Sequence, residues 1–322
     1  MATNQRALSR YEYSSRLADW DSVAGVRATP RRLLADEEAI GKVYFSRPLV
    51  PIVCHPLIAK LGPEAQRVIL IHHLYSYLDF TTHFEIEVVN RGAHRIAAGK
   101  AGVNLPSSML FDAYKVYCDE GYHSVLCVDL KLQIEAATGV KALPYNFGEF
   151  LRRLNKAREK VPPDLRPMSG LLIVIVFETL ISSTLNKIPK DEQVISTVRE
   201  VVADHADDEA RHHSFFSSVL DVLWPQLSHR QQCILGPILP HFIIKTLEPD
   251  YATIRQRLAL YNLRPDEIDQ IMEESYPWTE VIAGLRKTAG ATLRLFERNG
   301  LFNDRQTLEE FQRIGLIGNG AV

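Results

Sequence analysis

Several features that would assign this chain to other classes of protein are missing from its sequence. The four cysteines form no Cys-x-x-Cys pair, which predicts a reduced, cytoplasmic protein. The formal net charge is −2, so there is no basic surplus to drive binding to nucleic acid or to an anionic membrane. The longest apolar run, Leu171 to Phe177, is far shorter than a membrane span, and residues 1–21 lack the apolar stretch of a signal peptide.

The composition that remains is typical of a globular protein. Of the 322 residues, 46% are apolar and 24% are charged, which favours a packed core over disorder. Strand signals are sparse and no linker or low-complexity segment is evident, so we expect one all-α domain over residues 1–322. Helical patterns cover about 63–98, a segment capped by Ser107 or Ser108, 147–160, 168–186, 190–223 and shorter stretches over 228–298.

Two of these helical segments carry an apolar stripe that includes a carboxylate. The first stripe reads Ile71, Leu74, Leu78, Thr81, Glu85 and Val88. The second reads Leu110, Tyr114, Tyr117, Glu120, Ser124, Cys127 and Leu130. Steps of three and four residues place each set on one face of a helix, so both Glu side chains are expected to point inward.

Glu178 lies in a segment, Leu171 to Ile181, that is apolar on all sides, as in a core helix. A buried carboxylate without a partner costs on the order of several kcal/mol. Neither Lys nor Arg lies within one helical turn of Glu178. The sequence therefore predicts that a cation from another helix, or a bound metal, meets this side chain.

Three side chains of metal-ligand type share one face of a later helix. His205, Glu209 and His212 are spaced four and three residues apart, which places them within roughly 60° on the helix surface. Valines and phenylalanines continue the same face in both directions. The three polar side chains are therefore expected to point into the core.

A second Glu-x-x-His spacing occurs at Glu120 and His123. The remaining carboxylate is either Glu85 or Glu87, and we select Glu85 because it lies on the apolar stripe. Two Glu-x-x-His motifs on different helices, with one inward Glu from each of two others, form the ligand set of a carboxylate-bridged di-metal site in a four-helix bundle.

Each of these signals is weak alone, because a single Glu-x-x-His is usually a solvated pair and a single buried His is more often a core residue. Their coincidence in the required order predicts a metal site. Carboxylates and imidazoles without cysteine suit iron, with manganese as the alternative. Asp119 and Asp208 are candidates to accept hydrogen bonds from the ligand histidines. Arg211 either pairs with a carboxylate or lies on the surface.

With the third histidine, the set resembles that of the p-aminobenzoate N-oxygenase family, whose di-iron sites carry three histidines and four carboxylates. The seven predicted ligands are Glu85, Glu120, His123, Glu178, His205, Glu209 and His212. The resemblance covers about residues 63–220 and is specific in ligand order and spacing. It implies a ferritin-like four-helix bundle core with additional C-terminal helices, two iron ions, dioxygen as co-substrate and a homodimer.

The resemblance also implies oxidation of a primary amine, an aryl amine or an amino acid, to the hydroxylamine and onward to nitroso or nitro products, in natural product biosynthesis. Electrons must come from a separate donor or reductase, because the chain has no flavin or nicotinamide fingerprint. We hypothesise that His205, a neutral donor, biases the site toward amine oxidation over C–H abstraction.

Three other functions remain open at this point: another di-iron oxidase such as a C-hydroxylase or desaturase, an iron-storage or redox-sensing protein, and a purely structural helical protein. Storage shells usually consist of smaller chains, and a structural role leaves Glu178 unexplained. Arg286 and Lys287, on a late helix, are weak candidates to hold a substrate carboxylate.

Overall fold

In a computed structural model that describes residues 13–35 and 39–318, the chain folds almost entirely into helices. Within those ranges the only β pairing is an isolated parallel bridge between Val43 and Val194. The predicted all-α class is therefore confirmed. Among the described residues, none of the helices combines the length and the apolarity that a membrane crossing requires.

The α-helices of the described residues range from single turns to a rod of 32 residues. In chain order they are α1 (Trp20–Val23), α2 (Gly25–Ala28), α3 (Pro56–Ala59), α4 (Pro63–Phe84), α5 (Asn90–Ala97), α6 (Ser107–Thr138), α7 (Phe147–Arg158), α8 (Arg166–Leu185), α9 (Ser196–Leu223), α10 (His229–Leu235), α11 (Leu239–Leu247), α12 (Tyr251–Leu258), α13 (Pro265–Ser275), α14 (Trp278–Thr288), α15 (Gly290–Arg298) and α16 (Arg305–Ile314).

Four long helical rods form the central bundle. The rod of α4 and α5 packs along α6, α8 packs along α9, and α6 also contacts α9. The later helices α11 and α15 cover α8, where the Thr292 hydroxyl donates to the carbonyl of Thr179 at 3.0 Å. A four-helix core with additional C-terminal helices is thus the observed architecture.

Two predicted helix starts differ from the structure. The second rod starts at Ser107 itself, after Pro106, and no side chain caps it; Pro106 has no N–H to satisfy and its fixed φ suits a helix start. The α9 helix starts at Ser196 and not near residue 190. The reason is the parallel bridge, in which Ile195 donates to the carbonyl of Val43 and keeps the preceding backbone extended.

A π-helical turn, Glu85–Val89, joins α4 to α5 in one continuous rod. The wider turn places one extra residue between the faces of the two helices, so Val89 is fully buried while Val88 is only half-buried. The predicted stripe is therefore buried up to Glu85, and at its end Val88 packs against the core only partly buried while Val89 takes the fully buried position. π turns inside α-helices frequently mark functional sites.

The N-terminal half of the predicted α6 stripe was also wrong. The core-facing residues there are Met109, Ala113 and Val116, whereas Tyr114 and Tyr117 are 52% and 45% exposed. From Glu120 onward the predicted stripe is buried. Each core-facing residue here precedes the predicted one by one position. The prediction selected the wrong face because this part of the helix is apolar on two faces.

Candidate metal centre

The seven predicted ligands lie together in one buried cluster inside the bundle. Glu85 begins the π turn, Glu120 and His123 come from α6, Glu178 from α8, and the remaining three from α9. None of the seven residues is more than 4% exposed. Helical spacing explains this convergence, because residues three and four positions apart share a helix face.

The cluster contains overlapping sets of ligand atoms that lie within 4.8 Å of one another. The three sets are Glu85, His123, His205 and Glu209; Glu120, His123, Glu209 and His212; and Glu85, Glu120 and Glu178. Glu209 Oε1 lies 3.3 Å from both His205 Nε2 and His212 Nδ1. Sets that share carboxylates in this way suit two adjacent cations bridged by carboxylate oxygens.

Glu178 tests whether these residues fit a metal pair. Neither of its carboxylate oxygens has a hydrogen-bond partner among the described residues, although the side chain is fully buried. The nitrogen Nδ1 of His212 is 3.9 Å from Oε2, too far for a hydrogen bond. An orphaned carboxylate beside six other ligand-type side chains is the arrangement that bound cations would satisfy.

The acid–base properties of the cluster point the same way. Burial, followed by repulsion from neighbouring carboxylates, raises the pKa of Glu85 and of Glu178 well above the usual value. Burial acts to lower the pKa of His205, but the carboxylates of Glu209 and Glu85 raise it to about 10. The metal-free cluster therefore holds protons that a cation would displace.

Two aspartates fix the orientation of two of the histidines. His123 Nε2 lies 3.2 Å from Asp208, and His212 Nε2 lies 3.0 Å from Asp119. Each aspartate precedes the Glu of one motif and contacts the His of the other, so the two motif helices are cross-connected. An ionised aspartate only accepts, so Nε2 carries a proton in each ring, and Nδ1 faces the carboxylates, where its lone pair would bind a cation.

The N-terminal segment contacts the same two aspartates from outside the bundle. Trp20 donates its indole N–H to Asp119 at 2.8 Å, and the backbone N–H of Gly25 donates to both oxygens of Asp208 at 3.1 Å. Arg211 also pairs with Asp208, which resolves the two alternatives for that residue. The roles of Trp20 and Gly25 were not predicted, because neither lies in a periodic pattern.

A cavity of about 350 Å³ lies beside α4. Its wall includes Tyr77 and Phe80 from α4 and Phe150 from α7. The charge of Glu85 contributes, after burial and Cys127, to raising the pKa of Tyr77, so this wall residue feels the cluster electrostatically, although none of the seven predicted ligands lines the cavity. The cavity also contains Arg257, whose role the sequence did not suggest.

Arg257 is a buried cation that is only partly satisfied. Nη1 donates to the carbonyl of His72 at 2.6 Å and also contacts the hydroxyl of Ser76. Nη2 is buried without a hydrogen-bond partner among the described residues. By contrast, Arg286 and Lys287 are exposed, and Arg286 donates to the carbonyl of Gly315, which leaves their suggested role in substrate binding unsupported.

A bundle of long helices with four carboxylates and three imidazoles at its centre defines the class of ferritin-like di-iron proteins. Comparison with protein families matches residues 26–300 to the family described as p-aminobenzoate N-oxygenase AurF. The chain belongs to this family, and it is therefore a di-iron N-oxygenase, an oxidoreductase. A comparison with curated proteins finds no match.

Proposed function

We propose that the seven clustered residues bind two iron ions and that the chain uses dioxygen to oxidise a primary aryl amine to the hydroxylamine and further. The observation that carries this proposal is Glu178, an orphaned carboxylate in an apolar helix at the centre of the cluster. Iron bound here would supply the reductive activation of dioxygen, with electrons delivered by a separate donor.

The charges of the donor set match such an occupant. Four carboxylates carry a total charge of about −4 when ionised, which two divalent cations neutralise, and the three neutral imidazoles add donors without adding charge. A buried site that is neutral as a whole avoids the large cost of unbalanced charge. His205 is the donor beyond the usual two-histidine set, and it lies 3.6 Å from Glu85.

The protein's own residues position and enclose the site. Asp119 and Asp208 hold the rings of His212 and His123 with Nδ1 directed inward. Stacked Phe84 and Phe177, with ring centroids 3.6 Å apart, form an apolar wall next to Glu85 and Glu178. Such a wall limits the access of water, which protects reactive species from solvent.

The cavity favours an aromatic substrate that carries an anionic group. Phe80 and Phe150 present rings 5.0 Å apart in an edge-to-face arrangement, which provides an apolar surface for a planar ring. The unpartnered Nη2 of Arg257 offers a charge-assisted hydrogen bond to a carboxylate. We propose that the amine end of the substrate points toward the metal cluster and that its carboxylate meets Arg257.

The proposal is tested first by iron content and then by turnover. The purified protein, expressed with ample iron, should contain about two iron ions per chain, whereas a storage protein would hold far more and a structural protein none. The reduced, iron-loaded protein is then exposed to air with a panel of aryl amines and amino acids. Mass analysis should show oxygen added to nitrogen; oxygen added to carbon, or loss of hydrogen, would support a C-hydroxylase or desaturase instead.

Substitution of Arg257 tests the substrate class. We expect Arg257→Gln to raise KM for p-aminobenzoate by about 10- to 150-fold, since a hydrogen bond to a charged group contributes about 1.5–3 kcal/mol. KM for aniline, which lacks the carboxylate, should change little. Lys245→Gln is the matched control, because Lys245 lines the same cavity but is already paired with Glu248 at 2.8 Å. Equal effects on both amines would contradict the assignment.

A further inference from the structure

A second cavity, of about 290 Å³, lies between the rod of the π turn and α5, the end of α7 and the start of α8. It shares no lining residue with the cavity that contains Arg257. Among the described residues that line it, one is acidic, Glu87, and four are arginines. The arginines are Arg91 and Arg95 from α5, Arg158 from α7 and Arg166 from α8. Positive charge from three separate elements therefore converges on one small volume.

The charge of this cavity is not balanced from within the described part of the chain. None of its four arginines forms an ion pair with a described residue. By contrast Arg153, on the same helix as Arg158, pairs with Glu248 at 3.7 Å. The acidic residue of the lining, Glu87, has its Oε1 3.3 Å from Nδ1 of His83 instead of from an arginine. Four uncompensated guanidiniums in one cleft are the arrangement that an anionic ligand would neutralise.

The two arginines of α5 show most clearly that a partner is missing. Arg91 and Arg95 are four residues apart, so they lie on one helix face, where like charges repel each other. Arg91 is exposed, whereas Arg95 is half-buried. The Nε of Arg95 is buried without a hydrogen-bond partner among the described residues. Because a buried donor without an acceptor is costly, a ligand oxygen beside Arg95 would stabilise this arrangement.

Arg158 is held in place with N–H groups to spare. Its Nε donates to Ser169 Oγ at 3.0 Å, its Nη1 to Asn155 Oδ1 at 3.2 Å and its Nη2 to the carbonyl of Arg166 at 2.7 Å. A guanidinium has five N–H groups, so one on each Nη remains available to a ligand. Burial, followed by the charge of Arg166, lowers the pKa of Arg158. An anion bound between these two side chains would relieve the repulsion between them.

The same cavity has an apolar wall. Leu154 from α7 and both Leu171 and Ile173 from α8 are buried residues of its lining. A ligand that fits both surfaces has one anionic end and one apolar end. The volume is at the lower end of the range found for small-molecule pockets, about 300–1,000 Å³. The cavity therefore suits a small molecule.

The number of arginines distinguishes between possible anions. A carboxylate carries one negative charge and is matched by a single guanidinium. A phosphate group on an organic molecule carries about −1.5 to −2 at pH 7 and presents three strong acceptor oxygens. Guanidiniums that come from three different elements can approach such a group from several sides. The charge and the geometry therefore favour phosphate over carboxylate.

We propose that this second cavity binds a small organic phosphate, with the phosphate among the four arginines and the apolar group against the leucines. The ligand would connect three elements that also serve the metal cluster and the first cavity. The rod of α5 contains Glu85, α8 carries Glu178, and α7 supplies Phe150 to the first cavity. The inference does not depend on which amine is oxidised.

Calorimetric titration of the iron-loaded protein with phenyl phosphate tests the binding. At an ionic strength of about 0.15 M, where general attraction of anions is largely screened, we expect one site per chain. Inorganic phosphate, which lacks the apolar group, and phenyl sulfate, which has the same shape but a single charge, should bind more weakly. Equal affinity for all three, or no binding of phenyl phosphate at millimolar concentration, would overturn the proposal; in the second case the arginines would serve an acidic protein instead.

Two controls locate the site. Arg257→Gln alters the first cavity, and removal of iron empties the metal cluster; neither should change the affinity for phenyl phosphate. Loss of binding in Arg257→Gln, or only on removal of iron, would place the ligand elsewhere and overturn the proposal. Both results are independent of whether the protein oxidises an amine.

Substitutions in α5 test the arginines directly. Arg91→Gln and Arg95→Gln should each weaken binding of phenyl phosphate by about 10-fold or more, as expected for loss of a charge-assisted hydrogen bond. Neither guanidinium has a partner among the described residues, so the Tm of the ligand-free variants should be unchanged or higher. Arg95→Lys, which keeps the charge but not the planar fork, should restore only part of the affinity.

Arg230→Gln is the matched control, because Arg230 is an exposed arginine on α10 that likewise has no ion pair among the described residues. It should bind phenyl phosphate as the native protein does. Native affinity in both Arg91→Gln and Arg95→Gln, or an equal loss in Arg230→Gln, would show that these arginines do not form the site.

Discussion

Substitution of Gly25 by alanine should weaken a metal site that Gly25 does not touch. A Cβ at this position would lie 2.6 Å from Oδ2 of Asp208, so the carboxylate has to retreat by roughly 0.5–1 Å to reach ordinary contact. The same oxygen is the acceptor that orients His123, at 3.2 Å. The perturbation therefore passes from Gly25 through Asp208 to a predicted ligand.

The magnitude follows from two opposing effects. Overpacking in a dense interior costs about 1–3 kcal/mol, whereas alanine in place of a helical glycine contributes up to about 1 kcal/mol of stability. We expect a net loss of about 1–2 kcal/mol, seen as a lower Tm of the metal-free protein. Loss of an outer hydrogen bond to a ligand histidine typically weakens metal binding by about 10- to 100-fold.

Thermal unfolding of the metal-free and iron-loaded forms, together with competition for Fe(II) by a chelator, measures both effects. Gly284→Ala is the matched control, because Gly284 is also helical and a Cβ there would meet no atom within 4 Å. The control should gain stability and keep its iron affinity. If Gly25→Ala behaves in the same way as Gly284→Ala, the contact with Asp208 does not position His123.

Three further outcomes are expected. Glu178→Gln, which resembles the protonated acid, should raise the Tm of the metal-free protein at pH 8 while lowering bound iron below two per chain; unchanged iron content would contradict the role of Glu178. The raised pKa of Glu85 gives the metal-free protein stability that is fully present below pH 4.5 and is lost as pH rises through the higher pKa of the folded state. The raised pKa of His205, about 10, gives stability that is fully present below pH 6.5 and is lost as pH rises through 10. Metal binding displaces both protons, so the Tm gain on Mn(II) or Fe(II) loading should widen from pH 5 to pH 8, and a constant gain would refute this linkage. Trp20→Phe, which removes the 2.8 Å hydrogen bond to Asp119, should weaken iron binding by about 10-fold in chelator competition, with apo stability as the control readout.

The clustering of the seven candidate ligands could be predicted because helical spacing and burial both follow from the sequence. Glu178 in an apolar helix, and His205, Glu209 and His212 at steps of four and three, require inward-facing polar groups whatever the loops do. The structure brings all of them together with less than 5% exposure. The choice of Glu85 over Glu87 from its stripe position is likewise consistent with the burial of Glu85.

The outer contacts could not be predicted, because they depend on where a non-periodic segment lies in space. Trp20 and Gly25 precede the first long helix by dozens of residues, and no spacing relates them to Asp119 or Asp208. The cavity cation Arg257 is similarly distant in sequence from the α4 residues that it contacts. Such contacts arise from packing between elements and not from local pattern.

The misplaced α6 stripe has a different cause. Tyr114 and Tyr117 are apolar enough to belong to a core, and Met109, Ala113 and Val116 are as well, so hydrophobicity alone cannot decide which face turns inward. The burial of Glu120 and His123 in the cluster fixes the rotation of the helix. With the inner face fixed in this way, the second apolar face of α6, which includes Tyr114 and Tyr117, is exposed.

The π turn at Glu85 decides where its rod can lose a residue. Deleting one residue between Glu85 and Val89 would restore an uninterrupted α-helix, and the residues that follow would keep their faces, because the wider turn is where the extra residue is accommodated. Deleting one residue from the middle of α4 would instead rotate the two ends of the rod against each other by about 100°. Gly92 could then not keep its close approach to Val174 on α8, where a Cβ would come within 2.7 Å, while the start of α4 keeps its own packing. A deletion scan should therefore tolerate the loss of one residue in this turn far better than the loss of one residue from the regular helix before it.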